Sequence, residues 1–109
     1  MVIPATIHNA LLRVPHPSRG YTLAAVEPIV LEPVMDDGLL TIRVPELGID
    51  VYAESQEELS SELAEQVLML WEEYAREEDG RLSPAARNLK SALLRAFVEE
   101  PHAAPRPPG

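Results

Sequence analysis

The stretch "TIRVPELGIDVYAESQEEL", residues 41–59, combines the patterns of two strands, a turn and the start of a helix. Apolar residues occupy every second position on both sides of the turn, at Ile42 and Val44 before it and at Ile49, Val51 and Ala53 after it. Such alternation is typical of strands with one buried face. Pro45 lacks the N–H that a sheet ladder needs, so the first strand ends there and "PELG" forms the turn.

A further strand precedes this stretch. "IVLEPV", residues 29–34, and "LLTIRV", residues 39–44, flank "MDDG", residues 35–38. Asp followed by Gly between apolar runs indicates a β-hairpin, because Gly adopts a positive φ at little cost. We therefore predict an α+β fold, in which a small antiparallel meander of three or more strands packs against a long helix and is followed by a second C-terminal helix.

A capping box predicts where the first helix begins. The Ser55 hydroxyl can accept a hydrogen bond from the backbone N–H of Glu58, whose carboxylate can accept in turn from the N–H of Ser55. The apolar residues that follow lie within about 120° of the helix circumference at about 100° per residue. They are Leu59, Leu63, Val67, Leu70, Trp71 and Tyr74. We predict a helix over 56–78 that stops before Gly80.

The helical pattern resumes in "LSPAARNLKSALLRAF", residues 82–97. Ser83 is a suitable N-cap, and Pro84 suits the first helical position, where no backbone N–H is needed. The apolar stripe of this second helix comprises Leu82, Ala86, Leu89, Leu93, Ala96 and Phe97.

Helix length predicts that the meander cannot cover the whole apolar stripe. A helix over 56–78 is about 35 Å long, whereas a strand such as 39–44 spans about 20 Å. The second half of the stripe therefore needs another cover, either the second helix or a second copy of the chain in a homodimer. The residues assigned to core completion or dimerisation are Trp71, Tyr74, Leu89, Leu93 and Phe97.

Chain length and composition bound the domain organisation. The 109 residues are enough for one domain, which we place at 1–98. The Pro-rich "EEPHAAPRPPG", residues 99–109, predicts a flexible tail. Residues 5–14 fit either a helix or a strand. No run approaches the roughly 18 apolar residues of a membrane span, and no signal-peptide pattern is present, so we expect a cytoplasmic protein.

The sequence contains no recognisable catalytic, metal or cofactor motif. It has no cysteine, no metal-binding histidine spacing, no calcium loop and no glycine-rich phosphate loop. His8, His16 and His102 lie in terminal or loop segments, which favours surface positions over catalytic ones. We expect no enzyme activity, no metal and no cofactor. The alternative is an enzyme subunit in which Asp36 or Asp37 joins a histidine in a carboxylate-lined pocket between subunits.

Charge is unevenly distributed along the chain. The formal net charge is −9, and residues 46–79 hold twelve acidic residues against one basic residue. Residues 80–98 contain no acid and four bases, which are Arg81, Arg87, Lys90 and Arg95. The simplest explanation is that the two oppositely charged helices pack beside each other or pair across a dimer. An acidic protein is poorly suited to a phosphate backbone, so we expect no direct nucleic-acid binding.

Acidic residues also follow one face of the first helix. Glu58, Glu65 and Glu72 recur every seven residues opposite the apolar stripe, and Leu68 and Met69 border them. Apolar groups beside such a strip favour a docking surface for a cationic protein. The candidate partner-binding residues are Glu58, Glu62, Glu65, Leu68, Met69 and Glu72. The alternative is a face that does no more than contact water.

The order of these features resembles the N-terminal domain of HicB-like antitoxins over residues 29–76. The shared features are a strand, an acidic Gly turn, a strand ending in P-x-L with a nearby Gly, a further strand, a Ser cap and paired glutamates. They are carried here by Pro45, Leu47, Gly48, Ser55, Glu57 and Glu58. The resemblance implies a small α+β unit that binds and neutralises a small basic toxin that cuts mRNA.

We therefore expect a non-catalytic, homodimeric protein-binding module that docks a small basic protein through its acidic helix face and sheet edge. The alternatives are a homodimeric structural domain and the enzyme subunit described above.

Overall fold

The computed structural model describes residues 12–29 and 31–102. Its strands and α-helices are β1 (Arg13–Pro15), β2 (Tyr21–Ala25), β3 (Val34–Asp36), β4 (Leu39–Val44), β5 (Ile49–Ala53), α1 (Gln56–Leu70), α2 (Pro84–Ala96) and β6 (Phe97–Pro101). A π-helical segment (Trp71–Ala75) continues α1, and short 3₁₀ turns cover Pro45–Leu47 and Asp79–Arg81. The predicted α+β class is confirmed. Within these ranges, every helix is too short or too polar to cross a membrane.

The predicted antiparallel meander is formed by β3, β4 and β5. At the hairpin between β3 and β4, Asp37 has φ 52° and Gly38 has φ 82°, the left-handed pair that a tight hairpin turn requires. The first arm lies later in the chain than the predicted 29–34 segment, because β3 begins only at Val34 and continues through Asp36, which was predicted to lie in the turn. Pro33 directly precedes β3 and cannot donate to the ladder.

Ser55 caps α1 as predicted. Its hydroxyl accepts from the backbone N–H of Glu58 at 3.2 Å. The Glu58 carboxylate accepts from the N–H of Glu54 at 3.3 Å, one residue before the predicted donor. α1 packs on β4 and β5 through the first part of the predicted stripe. The buried members of the whole stripe are Leu59, Leu63, Val67, Leu70 and Trp71. Tyr74 is only partly buried.

The helix ends earlier than the predicted residue 78. From Trp71 it widens into the π segment, where the N–H of Arg76 donates to the carbonyl of Trp71 at 3.1 Å, and Arg76 is its C-cap. A π turn contains more residues than an α turn. Side chains in the π segment are therefore rotated away from the directions that α-helical spacing predicts.

A second antiparallel sheet consists of β1, β2 and β6, with the fully buried β2 at its centre. β6 includes residues 99–101, which corrects the tail predicted from Glu99. The proline of this segment is tolerated because Pro101 ends a strand at the edge of the sheet. Residues 103–109 lie outside the described residues. So does most of the undecided 5–14 segment, of which the last residues enter β1.

The second half of the apolar stripe is covered by the same chain. Trp71, Leu93 and Phe97 are 4%, 1% and 2% exposed. The Trp71 and Phe97 rings meet edge to face with their centroids 6.4 Å apart. Tyr74 and Leu89 are partly buried. Because α2 and β6 supply this cover, the length of the first helix no longer argues for a second copy, and the homodimer stays a prediction.

The second helix also contacts the turn between β4 and β5. Gly48 has φ 71°, and a Cβ at this position would lie 3.4 Å from both Leu89 δ-carbons. Glycine therefore serves both the left-handed turn and the close approach of α2.

Leu93→Ala tests the packing of α2. Leu93 is 1% exposed, whereas its neighbour Leu94 is 49% exposed. We expect Leu93→Ala to lower the free energy of unfolding by about 2–5 kcal/mol, because it leaves a cavity in the core. Leu94→Ala, the matched control, should change it by less than about 0.5 kcal/mol. Urea denaturation followed by circular dichroism measures both variants, and equal effects would contradict the packing described here.

Candidate functional site

An open groove runs between α1 and the edge of β5 that faces away from β4. Its volume is about 560 Å³, and it is lined by Asp50, Val51, Tyr52, Glu62, Glu65, Gln66 and Met69. Three of these residues carry carboxylates and none carries a positive charge. We call this feature the acidic groove.

The carboxylates of the acidic groove are poorly compensated. Asp50 Oδ1 lies 3.4 Å from Nε of Arg43 on the neighbouring strand, where both side chains are largely exposed. Glu62 and Glu65 are exposed, and neither forms an ion pair with any residue of the described ranges. Of the three groove carboxylates, only Asp50 therefore has a basic neighbour in the described part of the chain, and Glu62 and Glu65 keep the groove negatively charged.

Apolar surface adjoins these charges. Met69 is 41% exposed on the α1 side of the groove, and Tyr52 is 65% exposed on the β5 side. Large apolar side chains exposed beside a polar rim are typical of protein-binding surfaces, where tyrosine and methionine are enriched. The acidic groove therefore has the composition of a protein contact.

The acidic groove contains three of the predicted partner-binding residues, which are Glu62, Glu65 and Met69. Glu58 is exposed nearer the start of α1, with its carboxylate bound to the N–H of Glu54. Leu68 is partly buried against the core, so it is not the exposed apolar group that its spacing predicted. Glu72 does not line the groove, because its carboxylate contacts Tyr21 of the second sheet.

Sequence reasoning missed Asp50, Tyr52 and Gln66 as groove residues. The alternation in β5 correctly predicted that Asp50 and Tyr52 face outward, but not that this edge of the meander lies beside α1. Gln66 connects the two elements, because its Oε1 accepts from the backbone N–H of Asp50 at 2.7 Å and its Nε2 donates to the Asp50 carbonyl at 3.4 Å. The sequence signal that could have identified Gln66 was its amide side chain, which lies on a helix face otherwise rich in carboxylates.

A second group of polar side chains, the Glu72 cluster, surrounds Glu72. Its Oε1 lies 3.2 Å from the Tyr21 hydroxyl, 3.3 Å from His16 Nε2 and 3.2 Å from Arg19 Nε. Its Oε2 lies 3.6 Å from Nε of Arg76, whose guanidinium stacks on the Tyr21 ring at 5.1 Å. Burial, and then the charge of Glu72, raise the pKa of Tyr21 to about 12, so its hydroxyl stays protonated and donates to Glu72.

Glu99 of β6 adjoins the Glu72 cluster. Its Oε2 accepts from Trp71 Nε1 at 2.6 Å and from Arg76 Nε at 2.8 Å, and its Oε1 accepts from Arg76 Nη2 at 2.8 Å. The paired hydrogen bonds from Arg76 lower the pKa of Glu99, and the Trp71 N–H adds to the shift. These bonds tie the end of the helix to β6.

The Glu72 and Glu99 carboxylates are surrounded by donors, which suits them to holding the fold together. His16 belongs to this arrangement, and its predicted surface position is wrong. Its side chain is 14% exposed, and its Nδ1 accepts from the N–H groups of Ser18 and Arg19, both at 3.1 Å. The imidazole thus organises the turn between β1 and β2.

Of the other two histidines, the structure describes only His102. Exposed His102 has its Nε2 2.8 Å from Thr22 Oγ1, and His8 lies outside the described residues. Asp36 and Asp37 line an open groove of about 320 Å³ with Leu39, Thr41, Arg43, Asp50 and Tyr52, which includes no histidine. The pocket of the enzyme-subunit alternative lies between two subunits, so that alternative stays a prediction. In residues 12–29 and 31–102, no group of three His, Cys, Asp or Glu side chains is placed to hold a metal ion.

The acidic and basic segments of the chain neutralise each other only in part. Lys90 Nζ lies 2.8 Å from Asp79 Oδ1 and also donates to the Glu77 carbonyl, which joins α2 to the end of the acidic segment. Arg87 and Arg95 are exposed and form no ion pair with the described residues. The predicted internal pairing therefore leaves Glu62 and Glu65 of the acidic groove without a basic partner in the described part of the chain.

Comparison of the chain with protein-family models, with curated proteins and with solved structures finds no match. The resemblance to HicB-like antitoxins, and the function it implies, therefore stay predictions.

Glu99→Gln tests how far the contacts of Glu99 stabilise the fold. The pKa of Glu99 is lowered from its ordinary 4.5, so its ionisation stabilises the folded state above about pH 4.5 and the contribution is lost as pH falls through the lowered value. We expect the variant to lose about 1–2 kcal/mol of unfolding free energy at about pH 7. The difference in unfolding free energy between the variant and the wild-type chain should disappear in strong acid.

Urea titrations at neutral and strongly acidic pH measure this difference. Glu73→Gln is the matched control, because Glu73 is exposed on the same helix and has no ion pair in the described part of the chain. A loss for Glu99→Gln that did not depend on pH would contradict the assigned role of its charge.

Proposed function

We propose that the protein is a non-catalytic binding module whose acidic groove holds a cationic segment of another protein. The observation that carries this proposal is the position of Glu62 and Glu65 beside the edge of β5 that pairs with no described strand. Neither carboxylate is neutralised within the described part of the chain. A basic segment would supply the missing countercharge along the whole groove.

The charge of the whole chain supports the same partner class. A net charge of −9 attracts basic proteins at long range and repels acidic ones. Contact with the exposed parts of Tyr52 and Met69 would then slow dissociation, because apolar and aromatic groups in the centre of an interface commonly carry most of the binding energy. Charge thus selects the partner and apolar contact retains it.

The resemblance to HicB-like antitoxins favours a small basic toxin as the partner, bound in the cytoplasm. The acidic groove lies between the meander and the helix, the two elements on which the resemblance rests. The carboxylates of the groove would compete with RNA phosphates for the basic surface of such a toxin. Neutralisation would follow from this competition without any chemistry in the antitoxin itself.

A homodimeric structural domain is the second candidate. Val34, Thr41 and Tyr52 form one row across the outer face of the meander, because Val34 pairs with Thr41 and Thr41 pairs with Tyr52. Val34 and Tyr52 are 59% and 65% exposed. A second copy could cover this row.

Charge reversal in the acidic groove tests the proposed function. The probes are the products of the reading frames beside this one, produced separately, with a small and strongly basic product as the expected partner. We expect titration calorimetry to show binding that weakens at least about tenfold in the Glu62→Lys/Glu65→Lys variant. Binding to the wild-type chain should also weaken as salt is added, because the contacts are between exposed charges.

The matched control is Glu57→Lys/Glu73→Lys, which makes the same change of charge at exposed positions outside the groove. It should retain most of the affinity. Equal losses in the two variants would mean that net charge, and not the groove, causes binding. If no basic product binds, the proposed function is wrong, and a dimer in light scattering that Tyr52→Lys dissociates would favour the structural domain.

A further inference from the structure

We propose that the segment held in the acidic groove is an extended strand, which adds to the free edge of β5 and has basic residues at every second position. This inference rests on the proposed function and specifies how the cationic partner is bound.

The free edge of β5 follows from its pairing. Among the described strands β5 pairs only with β4, with Arg43 opposite Asp50 and Thr41 opposite Tyr52. In an antiparallel pair, alternate residues direct their N–H and C=O groups to opposite sides. Asp50 binds Gln66 of α1 with both groups, so it points away from β4, and Tyr52, two residues later, points the same way.

Gln66 occupies this edge as a neighbouring strand would. Its amide offers one acceptor and one donor to Asp50, at 2.7 Å and 3.4 Å, which reproduces the exchange of hydrogen bonds in a sheet ladder. Just beyond β5, the Glu58 carboxylate accepts from the N–H of Glu54. Two side chains of α1 therefore hold the two ends of the edge. Between them, the outward N–H and C=O of Tyr52 have no partner in the described part of the chain.

An incoming strand can replace these side chains at small cost. Gln66 is half-buried and lines an open groove, so its amide can turn to water once a backbone takes its place. That backbone would satisfy Asp50 equally well and would add hydrogen bonds to Tyr52, which α1 does not supply. Unpaired strand edges bind extended peptides in this way.

The flanking side chains specify the sequence of the added strand. Its side chains alternate between the two faces of the sheet. On one face they would meet Glu62 and Glu65 of α1, where lysine or arginine is favoured. On the other face they would lie beside Tyr52, where a β-branched or aromatic residue would pack across the strands.

A second copy of the chain fits this edge less well. Pairing of β5 with another β5 would bring two acidic grooves together, and their glutamates would repel each other. Charge therefore favours a basic segment as the occupant.

The test uses the full chain and a short synthetic peptide that alternates lysine with valine. Two N-methylated forms are compared, one methylated at the lysine nitrogens and the other at the valine nitrogens. Only one of these sets of amides can face β5, whichever way the added strand runs. We expect the two forms to differ at least about tenfold in Kd by fluorescence anisotropy.

Equal affinity of the two N-methylated forms would overturn strand addition and leave the proposed function intact. A peptide that alternates glutamate with valine is the charge control and should not bind. If the unmethylated lysine peptide binds no better than this control, strand addition and the proposed function both fail.

Gln66→Ala tests the displaced side chain. We expect it to bind the unmethylated lysine peptide more tightly than the wild-type chain does, because the peptide no longer has to displace the Gln66 amide from the Asp50 backbone. Asn88→Ala, at an exposed position on α2, should leave the Kd unchanged. Gln66→Ala could keep its circular dichroism spectrum but bind the peptide as tightly as the wild-type chain or more weakly. In that case Gln66 does not compete with the added strand for Asp50, and that part of the proposal is wrong.

Discussion

Burial of Trp71 is the constraint on which the rest of the structure depends. The helix extends past the meander, and most helical stability comes from packing an apolar face, so this far end needs a cover. The Trp71 ring packs on Phe97, and its indole N–H donates to Glu99 at 2.6 Å. One side chain thus binds β6 through both an apolar and a polar contact, while Leu93 of α2 is buried in the same core. These contacts join the two sheets within one chain.

The same constraint decides which charges remain available. Glu72 and Glu99 lie where the helix meets the second sheet, and their carboxylates contact arginine, tyrosine, tryptophan and histidine side chains. Glu62 and Glu65 lie on the earlier part of α1, beside β5, where no base of the described chain reaches them. Within residues 12–29 and 31–102, free negative charge and an unpaired strand edge therefore occur side by side. Their coincidence is the physical basis of the proposed binding surface.

Features that depend on neighbouring residues could be predicted from the sequence. The Asp37–Gly38 turn, the Ser55 cap and the start of α2 at Pro84 each follow from local backbone chemistry. The pairing of β6 with β2 joins segments that are distant in the sequence. The prolines that follow Glu99 predicted a flexible tail there instead of a strand. Seven-residue spacing grouped Glu72 with Glu58 and Glu65, but it could not show that the second sheet and its turn contact this end of the helix. The α1 side of the groove was predicted through Glu62, Glu65 and Met69. The role of Gln66 was not, since it depends on which strand edge lies beside α1 in space.

Amide hydrogen exchange at Tyr52, followed by NMR with isotopically labelled chain, tests most directly whether the acidic groove and the edge of β5 form one binding surface. On addition of the basic partner or the lysine–valine peptide, the Tyr52 N–H should become protected, and the amide signals of Asp50, Glu62, Glu65 and Gln66 should shift. Saturating ligand that leaves Tyr52 exchange unchanged, or that shifts only signals of α2 and the second sheet, would contradict the account.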